Sequence, residues 1–130
     1  MPNINDYFTF KISGEAGFGI KSAGLNFTKV VTRSGYHIYT HAEYPSLIRG
    51  GHNVMQISIS PEPVFSAVQT TDFLVALNQE SVNFHGHELV PGSGLLYDID
   101  ANIDTSKIDK SVDLFPVPLS KIAKNYQKII

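Results

Sequence analysis

The sequence has no cysteine at all. Disulfides, thiolate zinc sites and thiolate-held iron–sulfur clusters all need sulfur ligands, so this chain builds none of them from cysteine. There is also no run of basic residues: ten Lys plus Arg stand against twelve Asp plus Glu, a formal charge of -2. A nucleic-acid module normally neutralises phosphates with clustered cations, and nothing here supplies them. The first six residues, Met1 to Asp6, carry neither the charge nor the apolar stretch of a secretory signal. No apolar run approaches the ~20 residues of a membrane helix. These absences lead to the expectation of a cytoplasmic protein without nucleic-acid or membrane partners.

What is present fits one folded domain. Hydrophobic residues make up 42% and charged residues 17% of 130 positions, enough apolar material for a real core. Residues 7–13 alternate Phe8, Phe10 and Ile12 with Thr9 and Lys11, the period of a strand. Gly14-Glu15-Ala16-Gly17-Phe18-Gly19 follows, then Ile20, Ala23, Gly24, Phe27, Val30 and Val31 at helical spacing, ending near Ser34-Gly35. Residues 36–41 and 53–60 read as further strands around a loop rich in proline and glycine. Residues 73–77 form a short continuous apolar run that suits a strand buried on both faces, and 94–98 and 112–117 read as two more.

Strands interleaved with helical segments predict an α/β protein, a three-layer α/β/α Rossmann-like domain with a mostly parallel sheet. The 53–60 strand follows its predecessor too closely for a helical crossover, so one antiparallel member is expected and the sheet is mixed. Ile122, Ala123, Tyr126, Ile129 and Ile130 share one helical face, with no glycine or proline closing the pattern. The expected domain therefore occupies 1–130 and is truncated inside its last helix.

The glycine loop is the first candidate site. A strand that passes through glycines into a helix points backbone N–H groups and a positive helix end at one place, where a phosphate can sit. Gly14, Ala16, Gly17, Phe18 and Gly19 are the candidate cofactor-binding residues. A Walker loop needs Lys directly after its last glycine; here Ile20 intervenes, and Lys21 is turned about 100° away. A dinucleotide fingerprint would have glycine in place of Ala16, although Glu43 lies roughly where its ribose-binding acid belongs. A free-standing nucleotide module, a purely structural interaction domain and a simple tight turn all remain open on this evidence of spacing.

The second candidate is the loop after the second strand. Pro45 stiffens its entry, Arg49 offers a planar fork for a carboxylate or phosphate, and Gly50-Gly51 permits close backbone approach. Ser46, Arg49, Gly50, Gly51 and His52 are the candidate interface or anion-binding residues. His85-Gly86-His87 is a poor metal motif, lacking a carboxylate or cysteine at fixed spacing, and no metal site is expected. Glu15 and Glu43 have no nucleophile to serve, and His41 reads as a hydrogen-bonding residue. No catalytic residue is expected.

In order and spacing, the glycine loop through Ile20-Lys21-Ser22-Ala23-Gly24, Gly35-Tyr36, and Glu43-Tyr44-Pro45-Ser46-Leu47-Ile48-Arg49-Gly50-Gly51-His52-Asn53 resemble the gamma domain of 2-oxoacid:ferredoxin oxidoreductases. Asp72 to Asn78 and Gly94 to Asp98 look like that family's next two core strands. The Gly-Gly-His-Asn ending is most similar to the 2-oxoglutarate type, in which this domain is fused to the front of the alpha subunit; pyruvate enzymes carry a related domain. Ala16 departs from the commoner Gly-x-Gly-Gly-x-Gly loop.

The resemblance implies oxidative decarboxylation of a 2-oxoacid to an acyl-coenzyme A, with electrons passed to ferredoxin. It implies that thiamine pyrophosphate, magnesium and iron–sulfur clusters reside in partner alpha and beta parts. This domain would support coenzyme A binding and assembly, and would be inactive alone.

Overall fold

The computed structural model describes residues 7–44, 51–66 and 68–127. Six strands, β1 (Phe8–Glu15), β2 (His37–Glu43), β3 (His52–Ser60), β4 (Thr71–Ala76), β5 (Leu89–Asp98) and β6 (Asp113–Val117), form one sheet in the order β2-β3-β1-β4-β5-β6. β1, β4, β5 and β6 pair in parallel, whereas β3 is antiparallel to both β1 and β2. The expected mixed sheet is present, and β3 is its one reversed member.

Helix α1 (Ile20–Arg33) carries the chain from β1 across β3 to β2, and α2 (Gln79–His85) carries it from β4 to the adjacent β5. The two crossovers run in opposite directions along the sheet. Right-handed connections then put the two helices on opposite faces. The packing agrees: Phe27 and Val31 of α1 join Phe8, Ile12, Met55, Ile57 and Ile59 on one face, while Val82 of α2 joins Leu74, Ala76 and Leu95 on the other. Leu74 and Leu95 have no exposed surface, and burying each contributes about 1.5–3 kcal/mol. The three-layer α/β/α reading is the observed one.

Gly24 sets how closely α1 lies on the sheet. A Cβ there would stand 2.1 Å from the Met55 sulfur, so any larger residue would have to displace the buried Met55 side chain. The α2 layer is much shorter, and the half-sheet beyond it is finished with polar side chains. Thr9, Lys11, Ser13, Gln56 and Ser58 are all buried on that face. The connection between β3 and β4 leans on it, with Gln56 Nε2 donating to the Val68 carbonyl at 2.7 Å and Tyr7 Oη to that of Ser66 at 2.8 Å.

Three elements differ from the sequence reading. α2 and the 3₁₀ turn Gly86–Glu88 behind it were not foreseen. β5 begins at Leu89, five residues before the apolar run, and passes through Pro91 and Gly92 with a register shift against β4. The closing helix α3 (Leu119–Gln127) starts where expected, and its remaining residues lie outside those described.

Candidate functional site

β1 and β4 are neighbouring parallel strands whose connections depart to opposite faces. That divergence marks a switch point beyond their carboxyl ends, where open α/β sheets bind ligands in a crevice. The glycine loop lies there. Its members play different parts. Gly14 is buried, and a Cβ on it would meet Leu77 at 3.0 Å and Phe18 at 3.1 Å, so its role is to let β1 pass β4. The Ala16 N–H donates to the Gly51 carbonyl at 2.8 Å, and the Phe18 N–H donates to Glu15 at 3.1 Å. Both amides are engaged within the protein.

Gly17 and Gly19 are exposed, with φ of 97° and 78°, and an added Cβ on either would meet nothing within 4 Å. Their glycines are demanded by backbone conformation alone. Gly19 caps α1 without a side-chain hydrogen bond, and no acidic residue occupies the first turn. The helix thus presents its positive end, with Lys21 exposed beside it, to the crevice.

The Ala16–Gly51 bond ties the two candidate loops together, because β3 runs antiparallel beside β1 and returns Gly51 to the glycine loop. Gly51 is buried and acts through its carbonyl. Ser46, Arg49 and Gly50 lie outside the described residues. Glu43 cannot serve as a dinucleotide ribose acid: β3 separates β2 from β1, placing Glu43 two strands, about 10 Å, from the β1 register. It is exposed and contacts His41 Nε2 at 3.2 Å. Glu15 is also exposed.

His52 turns inward. Its Nε2 lies 2.9 Å from Ser13 Oγ and 2.8 Å from His85 Nε2, with the Phe84 ring edge-on at 5.0 Å. The chain of contacts continues from His85 Nδ1 to Glu88 Oε1 at 3.2 Å, and Glu88 Oε2 meets Lys11 Nζ at 2.5 Å and Thr71 Oγ1 at 3.2 Å. Burial pushes His52 below the ordinary histidine value and neighbouring His85 adds to this, while Glu80 and Glu43 oppose it. Burial would raise Glu88, yet hydrogen bonds from His85 and Lys11 prevail and hold it at about 2. Lys11, Ser13 and Glu88 carried no sequence signal as a site, since a Lys within an alternating strand reads as solvent-facing.

Lys11 and Glu88 line an open cleft of about 800 Å³ together with His41, Gln56, Val68 and Pro91. Among the described residues no three His, Asp or Glu side chains converge as a metal would require, and no helix is long and apolar enough to cross a membrane.

Known proteins share this architecture. The family model described as pyruvate ferredoxin/flavodoxin oxidoreductase matches residues 9–130. A 2-oxoacid:ferredoxin oxidoreductase subunit alpha from Sulfolobus is 35% identical over 105 residues, covering 81% of this chain but 16% of its own length. The 2-oxoglutarate:ferredoxin oxidoreductase of Magnetococcus marinus, solved with 2-oxoglutarate, coenzyme A and succinyl-CoA bound, superposes with a TM-score of 0.85 at 27% identity, over 95% of this chain and 22% of that one. The gamma subunit of a keto/oxoacid ferredoxin oxidoreductase from Geobacter sulfurreducens gives 0.75 at 26% identity, over 92% of this chain and 65% of that one. The chain thus spans a small part of the first relatives and more of a separate gamma subunit. A glycine loop tied to Gly51, a reversed β3 between β2 and β1, and these matches together make the chain a gamma-type domain of the pyruvate ferredoxin/flavodoxin oxidoreductase family.

Proposed function

We propose that this chain is the non-catalytic gamma-type part of a cytoplasmic 2-oxoacid:ferredoxin oxidoreductase, and that its β1/β4 crevice receives the phosphate-bearing end of coenzyme A. The observation that carries the reading is the open amino end of α1 at the point where the two crossovers diverge. Gly17, Gly19 and the first turn of α1 would hold the anion, with Lys21 adding charge. Gly14, Ala16 and Phe18 shape the loop; Gly51 and His52 buttress it. Arg49, with Ser46 and Gly50, is assigned to the interface or to an anionic group.

Coenzyme A would accept the acyl group when bound. The chain's own contribution is to bind and orient. Thiamine pyrophosphate, magnesium and the iron–sulfur clusters belong, on this reading, to the partner alpha and beta parts, and ferredoxin meets the whole complex. The absence of cysteine from this sequence accords with clusters held elsewhere.

The test is Gly17→Ala in the complete enzyme. A side chain at this positive φ costs about 1–2 kcal/mol locally and distorts the loop. The expected result is a KM for coenzyme A raised about tenfold, with an unchanged KM for the 2-oxoacid. Equal effects on both, or none on coenzyme A, would reject the crevice as its site.

A further inference from the structure

The His52–His85 contact constrains where protons sit. Glu88 is ionised at neutral pH and only accepts, so His85 Nδ1 carries the hydrogen that meets Glu88 Oε1. In a neutral His85 the Nε2 is then a lone pair, and the hydrogen between the rings, 2.8 Å apart at their Nε2 atoms, belongs to His52 Nε2. Ser13 Oγ, at 2.9 Å, shares that donor. His52 Nδ1 is left as a lone pair, and it is buried with no partner among the described residues. A buried bare acceptor is tolerated better than a buried bare N–H.

A further proton has no good place. With His85 Nδ1 already protonated and one hydrogen between the rings, it must occupy His52 Nδ1, which has no acceptor, or put two hydrogens in the gap and break the contact. Among the described residues, the groups around His52 are Ser13 and the cross-strand Glu15 from β1, Glu43 from β2, Glu80, Phe84 and His85 from α2, with Glu88 and Lys11 behind His85. Glu80 and Glu43 attract a proton without touching the nitrogen that would receive it.

We propose that His52 and His85 form a neutral, tautomer-locked latch joining the start of β3 to the end of α2, and that protonation opens it. Opening frees the far end of α2 from the sheet. It also releases the hydroxyl of Ser13, whose carbonyl accepts the Leu77 N–H at 3.0 Å across the mouth of the crevice. The latch stands whether or not coenzyme A enters that crevice.

Nitrogen-15 NMR of the histidine side chains in the full chain gives the first test: at pH 7.5 His52 is expected to carry its proton on Nε2 alone. The second is hydrogen exchange of the α2 amides, corrected for intrinsic rates. A group that protonates only in the open form, with its ordinary value of 6.5, increases opening up to about tenfold between pH 7.5 and 5.5. His52→Gln removes the His52 titration and, by turning its amide, offers an N–H to a neutral His85 or a carbonyl to a protonated one, so its α2 opening should stay level over that range. An Nδ1-protonated His52 at neutral pH, a wild-type opening indifferent to pH, or an unaltered acid response in His52→Gln each overturns the proposal. Should that variant not fold, the tautomer and the wild-type exchange decide alone.

Discussion

Lys11→Met is the substitution that most directly probes the polar half of the sheet. Lys11 stands on β1 between Gln56 and Leu74, only 7% of its side chain is exposed, and its ammonium meets Glu88 Oε2 at 2.5 Å. The carboxyl of Glu88 is depressed from 4.5 to about 2, which corresponds to roughly 3 kcal/mol in favour of its charged form. His85 and Lys11 share that stabilisation against the opposing effect of burial. Removing Lys11 therefore leaves a largely buried carboxylate with His85 and Thr71 alone, a loss of ~2–4 kcal/mol, toward the lower end of what broken buried pairs cost because two partners remain. At ~4 °C per kcal/mol for a domain of this length, the melting temperature should fall by ~8–16 °C. The assay is urea and thermal unfolding of wild type, Lys11→Met, Glu88→Leu and the double variant. The double variant should be less destabilised than Lys11→Met, since apolar side chains replace the ion pair without stranding a charge, and the loss that persists measures the acceptor removed from the His85 Nδ1–H and the Thr71 hydroxyl. A Lys11→Met loss under ~0.5 kcal/mol would mean the pair is screened by solvent, and the buried-pair description would be refuted.

Acid should reveal the same carboxylate. Because its folded value is depressed, its stabilisation is complete above 4.5 and is lost as pH falls toward about 2; unfolding midpoints should decline over that window and Glu88→Gln should flatten the decline. Asn78 caps α2 by accepting from the Ser81 N–H at 2.9 Å and the Ser81 hydroxyl at 2.7 Å, so Asn78→Ala should cost ~1 kcal/mol in urea denaturation, with the loss absent if the cap is replaced by Asp.

The glycine loop, the α1 stripe and the strand cores could be read from the sequence because each rests on a local period: Phe8, Phe10 and Ile12 do face α1 together. Alternation told which residues share a face, but not that Thr9, Lys11 and Ser13 on the opposite face would also be buried. That depends on the neighbours β3 and β4 and on the connection beyond β3, all distant in sequence. The order of strands was equally hidden. Glu43 has suitable sequence spacing for a ribose acid, and only the insertion of β3 beside β1 removes it. α2 leaves little trace in the sequence because its seven residues offer barely two turns of pattern. Pro91-Gly92 lies inside β5, where the Gly92 N–H, at φ 82°, donates to the Ser111 carbonyl, a pairing that no local period announces. His52 was legible as part of a motif, while its inward partners, Ser13 and His85, are set by tertiary packing.

The position of β3 has a consequence for how this domain tolerates changes in length. Held over eight residue pairs by β1 and seven by β2, it cannot slide. A single inserted or deleted residue within it would exchange Met55, Ile57 and Ile59 for Gln56, Ser58 and Ser60, sending polar groups into the core and pulling Gly51 out of step with Ala16. Any drift in length among relatives must therefore be absorbed before Gly51 or after Ser60, in the connections, leaving the strand as a fixed ruler between the two loops.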